Sequence, residues 1–149
     1  MITRRDLCVA LVSISITAAG IALAQSAVKP VLHSSVFNWA DLKATATKTG
    51  ERRAVFDSAT PGLANLECHI TTISAGEVPH APHRHAAEEV IVVKEGSLEA
   101  LQGDKTNFVG AGGIIFEASN EFHGFRNPGP GRATYYVFKI LARDGETAK

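Results

Sequence analysis

The sequence has little cysteine: Cys8 and Cys68 are the only two in 149 residues. This excludes a scaffold held by several disulfides. It also lacks an excess of either charge, with 15 Lys+Arg against 15 Asp+Glu. A chain of zero formal net charge has no general electrostatic pull toward nucleic acid or an anionic membrane surface. No internal repeat, low-complexity tract or 3.6-residue apolar stripe occurs beyond the N-terminus, which argues against solenoids, disordered tails and helical bundles. Hydrophobic residues make up 45% and charged residues 20%, a globular balance. The length suits one domain rather than two.

The one long apolar run is at the start. Arg4-Arg5 supply a positive n-region, and Leu7 to Leu23 are mostly apolar, diluted by Ser13, Ser15, Thr17 and Gly20. Ala22-Leu23-Ala24 is a small-x-small cleavage site before Gln25. Residues 1–24 therefore read as an export signal peptide and residues 25–149 as the mature domain. The run is short and hydroxyl-rich for spanning a hydrocarbon core of roughly 30 Å, so no stable membrane span is expected after cleavage. Thr3-Arg4-Arg5-Asp6-Leu7 resembles a twin-arginine export signal, which implies a bacterial protein delivered to the periplasm already folded. Cleavage leaves Cys68 alone. It has no intrachain partner and reads as a small buried apolar residue.

The mature chain reads as nearly all β. Strands are expected at Val36–Trp39, Arg52–Asp57, Leu66–Ile73, Glu89–Lys94, Ser97–Leu101, Thr106–Val109, Ile114–Phe116, Phe122–Arg126 and Ala133–Leu141. Gly, Pro and Asn clusters separate them, with Gln102-Gly103-Asp104-Lys105 as a hairpin turn. Asp41–Ala44 reads as a turn or a single helical turn. Short strands with turns at this spacing indicate a sandwich or barrel.

The histidines carry the chemistry. On extended backbone, residues two apart share a face. His83, His85 and Glu89 have the same parity, so a continuous strand would put two imidazoles and a carboxylate on one side. His123, from a neighbouring strand, would be a fourth ligand. Imidazole suits iron, copper, nickel and zinc, and a carboxylate adds affinity for manganese and iron. His80 reads as a loop residue near this group. Glu121 and Arg126 flank His123, and of the adjacent Tyr135 and Tyr136 only one can face inward.

Gly76, His83-Arg84-His85, Glu89 and Gly96 resemble the first sequence motif of the cupin family, with six residues rather than five between Gly76 and His83. Gly112, His123 and Asn127 match the spacing of the second motif, where Ala118 and Asn120 replace its usual proline and glycine. Asn tolerates positive φ, so Asn120 can take over the glycine role. The resemblance implies a double-stranded β-helix, or jelly-roll barrel, with His83, His85, Glu89 and His123 as ligands of one divalent transition metal (iron, manganese, copper, nickel or zinc). It also implies a homodimer, for which Val31–Trp39 is a candidate exchanged segment. The function expected is that of an exported, metal-dependent enzyme acting on a small organic molecule, with oxygen-dependent (dioxygenase) oxidation first. The alternatives are a non-redox isomerase or lyase on a sugar-like substrate, and a non-catalytic binding protein for a metal or small ligand.

Overall fold

The β-branched and alternating segments fold into nine strands: β1 (Ala44–Thr47), β2 (Gly50–Ser58), β3 (Asn65–Ile73), β4 (Glu88–Glu95), β5 (Ser97–Gln102), β6 (Lys105–Gly110), β7 (Ile114–Glu117), β8 (His123–Arg126) and β9 (Ala133–Leu141). The computed structural model describes residues 30–143. The segment read as an export signal lies outside the described residues. Strand order is β1-β2-β3-β9-β4-β7 in a six-stranded sheet and β6-β5-β8 in a three-stranded one. Every pairing is antiparallel. Among the described residues no helix is long and apolar enough to cross a membrane.

The register sorts the interior into rows, because residues paired across strands share a face. One row is apolar throughout at its start, with Ile73 opposite Ala133. The next runs Thr71–Tyr135–Val93, and then His69–Val137–Ile91–Ile115. The last row is charged: Glu67, Lys139, Glu89 and Glu117 lie side by side on β3, β9, β4 and β7. Leu98, Ala100 and Phe125 of the smaller sheet close over the apolar rows in one buried cluster. The rings of Phe125 and Tyr135 meet edge to face at 5.1 Å across the two sheets. The barrel therefore has a closed apolar floor and a polar end, and burial of each Ile, Leu or Val on that floor stabilises it by about 1.5–3 kcal/mol.

Two turns need special backbone. Gly96 joins β4 to β5 at φ 74°, and a Cβ there would sit 2.6 Å from the Arg132 carbonyl oxygen. Asn120 adopts φ 61°, taking the left-handed conformation expected where the second motif usually has glycine.

The expected strand at Val36–Trp39 does not form. The segment is irregular and ends in a 3-10 turn at Trp39–Asp41. Its aromatic residues make side-chain rather than ladder contacts. Phe37 packs on Phe56 at 5.4 Å, and Trp39 lies between the Arg53 guanidinium at 4.9 Å and the Lys94 ammonium at 3.9 Å. The edge strand is instead β1, whose four residues are all exposed.

Candidate metal centre

His83, His85 and His123 come together as expected, but not on one continuous strand. Residues 84–87 are irregular, and β4 begins only at Glu88. The three imidazoles thus meet through the Pro-rich loop and not through strand parity. A backbone bridge joins the loop to β8: the His83 N–H donates to the His123 carbonyl at 3.0 Å, and the His123 N–H donates to the His83 carbonyl at 3.1 Å. The bridge places the His83 and His123 rings 5.0 Å apart, with His85 5.2 Å from His83 and 4.9 Å from His123. One ligand atom from each of the three lies within 4.8 Å of the others, so the group could hold a metal ion.

The hydrogen bonds orient the rings for that role. His85 Nδ1 lies 2.8 Å from the Ala87 carbonyl, and His123 Nδ1 lies 2.9 Å from the Glu121 carbonyl. A carbonyl only accepts, so each Nδ1 carries the hydrogen and each Nε2 presents a lone pair. The His123 Nε2 is buried with no hydrogen-bond partner among the described residues, and so is the His83 Nδ1. Buried polar atoms without partners are uncommon in folded proteins. Glu89 lies outside the group of three but touches it: its Oε2 is 3.0 Å from His85 Nε2. That juxtaposition sets a carboxylate against an imidazole lone pair, which calls for positive charge between them. Orphaned lone pairs and facing acceptors are what a cation satisfies, so the residues fit a metal. Burial, followed by the neighbouring His80, His123, His85 and Lys139, lowers the His83 pKa, which keeps that imidazole neutral and its lone pair available.

The group adjoins a cavity of about 330 Å³ whose lining includes Glu89, His80, Lys139, His69, Phe125 and Tyr135. His80 is exposed, as read from its loop position, yet its ring stands edge-on to His83 at 4.6 Å and borders the cavity. Of the two adjacent tyrosines, Tyr135 faces inward, and burial raises its pKa. Arg126 turns outward to pair with Glu99, while Glu121 contributes its backbone carbonyl. Cys68 is buried, and burial pushes its thiol up to about 11.

Sequence reasoning missed two interior ionisable groups. The register puts Lys139 on the same face of β9 as Tyr135 and Val137. Its ammonium lies 3.5 Å from Glu89 Oε2. Glu117, opposite Glu89 on β7, is buried. Burial, with the Glu89 and Glu121 charges, pushes its carboxyl up to about 7 against a lowering hydrogen bond from Gln102.

Residues 69–139 match the family model described as the cupin domain. An RmlC-like cupin from Shewanella frigidimarina superposes with a TM-score of 0.61 at 16% identity, covering 77% of this chain and 97% of that one. The fold is a cupin jelly-roll. The polyketide cyclase RemF from Streptomyces resistomycificus aligns at 21% identity with a TM-score of 0.56, covering 75% of this chain and 82% of its own. A predicted oxalate decarboxylase from Thermotoga maritima aligns at 15% identity with a TM-score of 0.58, covering 72% and 99%. No curated protein sequence matches the chain. At these identities the structural likeness concerns the fold, and a cupin fold hosts many chemistries.

Proposed function

We propose that this cupin is an exported metalloenzyme, acting in the bacterial periplasm on a small organic molecule, with His83, His85, His123 and Glu89 as ligands of one divalent transition metal. The observation that carries the reading is three converging imidazoles, with His83 Nδ1 and His123 Nε2 buried and unpartnered among the described residues, beside a carboxylate at the edge of a cavity. Oxygen-dependent oxidation is the leading reaction, because three imidazoles and one carboxylate suit redox-active iron, manganese or copper. When bound, such an ion would supply a Lewis acid and an electron-transfer partner for dioxygen.

The protein's own residues do the rest. The Ala87 and Glu121 carbonyls hold two of the imidazoles in register. Phe125, Tyr135 and Val137 form the apolar side of the cavity and keep bulk water from the inner face. His80 stands at its mouth. A second reading, non-redox isomerisation or elimination, is favoured by the imidazole and amine side chains of His69, His80 and Lys139 along the same wall. Iron-, manganese- and zinc-loaded protein, screened against small organic acids and sugars with and without dioxygen, separates the two. Turnover that consumes dioxygen and stops under anaerobiosis supports the first reading. Undiminished anaerobic turnover with zinc would replace it by the second.

Export rests on the sequence of residues 1–24. Mass spectrometry of the mature protein should find Gln25 as its first residue, and a mature chain beginning at Met1 would remove the export reading. Association as a homodimer through the Val31–Trp39 arm is part of the same proposal. The exposed Val36, Phe37 and Trp39 side chains support it.

A further inference from the structure

Lys139 enters the cavity from β9 between two carboxylates, with Glu67 its register partner on one side and Glu89 on the other. Its neighbours on that face, Val137 and Tyr135, are core residues. A lysine on an inward row loses hydration and needs a compensating anion. Neither neighbouring carboxylate is free to serve it alone. Glu67 Oε1 already accepts from Arg52 Nη2 at 2.7 Å and contacts His69 Nδ1 at 3.0 Å. Glu89 Oε2 is shared between Lys139 and His85 Nε2.

The charge of the whole cavity points the same way. Lys48, Arg52 and Lys139 line it against Glu67 and Glu89. These charges leave an excess of positive charge, which a divalent ion on the imidazoles would increase. A concave site of one sign concentrates molecules of the other. At about 330 Å³ the space is at the small end of ligand cavities.

We propose that the substrate is a small carboxylate, and that Lys139 is a specificity-determining residue whose Nζ holds the anionic group beside the metal. This rests on the metal-centre reading and deepens it. An ammonium is a compact point charge suited to an anion of varied geometry. Lys139 Nζ lies 3.5 Å from Glu89 Oε2, so the carboxylate it holds lies beside that residue.

The test is calorimetric titration of manganese-loaded protein with acetate, malonate, succinate and benzoate, and with the corresponding neutral amides. Metal content is measured in every sample. The wild type should prefer carboxylates by tenfold or more. Lys139→Met should lose that preference while keeping one metal ion per chain, and Lys139→Arg should retain most of it. A lysine that merely braced Glu67 and Glu89 would change thermal stability without changing the carboxylate-to-amide ratio. Amides binding as well as carboxylates, no binding by the whole panel, or an unchanged preference in Lys139→Met would each overturn the inference while leaving the metal reading intact. Wild-type protein that takes up no metal would overturn the metal reading and this inference with it. If Lys139→Met fails to fold, the wild-type ratio and the arginine variant still decide.

Discussion

Each nitrogen at the candidate centre has a defined job at the scale of single residues. Carbonyls turn His85 and His123 so that lone pairs, not hydrogens, face the common space. Replacing His83 or His123 by alanine removes one such donor, and metal affinity should fall by roughly 100-fold or more. His33, on the exposed arm, has no part in the group, and His33→Ala should keep the wild-type metal content by elemental analysis. A second prediction concerns His69. Burial, then the Arg52 charge, holds its pKa below the usual 6.5, with Glu67 opposing and Lys139 adding to the depression. The unfolded chain therefore takes up this proton at a higher pH than the folded one. The resulting contribution to stability is fully present above about pH 6.5 and is lost as pH falls toward the folded value. In urea titrations across this range the stability of the wild type relative to His69→Gln should rise with pH. The clustered histidines were legible because their spacing recurs in a motif. Lys139 was not, because one lysine in an apolar strand carries no sign of which face it occupies until the register is known.

At the scale of elements, the strands with β-branched alternation were the ones the sequence made visible, from Leu66–Ile73 to Ala133–Leu141. Val36–Trp39 has the same β propensity but forms aromatic contacts in place of a ladder. In β1, Ala44-Thr45-Ala46-Thr47 has no buried face at all, so no hydrophobic pattern announces it. The loop before β4 hid its geometry for a different reason: its course is set by the pairing of His83 with His123, a tertiary contact. Asn127 shows what such loops depend on. Fully buried, it donates from Nδ2 to the Ser74 carbonyl at 3.0 Å and the Gly131 carbonyl at 2.7 Å, and its Oδ1 accepts from the Gly129 N–H at 3.0 Å. It ties the end of β3 to the turn before β9. Asn127→Ala leaves these backbone groups without partners and should cost about 2–4 kcal/mol in equilibrium urea unfolding. Metal content should be retained in the folded fraction.

For the whole molecule, the centre joins the two sheets. His123 belongs to the three-stranded sheet through β8, and Glu89 to the six-stranded sheet through β4. His83 and His85 lie on the loop that spans between them. A ligand that binds only the folded chain stabilises it by about 2.7 kcal/mol at a hundredfold excess over its dissociation constant. For a domain of this size, chelation should then lower the thermal midpoint by about 10 °C, measured by calorimetry with and without chelator. An unchanged midpoint would mean that no ion contributes to folding.

The His83–His123 bridge gives this coupling a biological edge. The backbone pair that brings the imidazoles together also seals the seam between the sheets at that end. Prying the seam open scatters the three imidazoles, and a cation held among them would resist the prying. Scarcity of the ion would thus register as protease sensitivity near residues 80–87, leaving empty copies to be cleared while loaded ones persist.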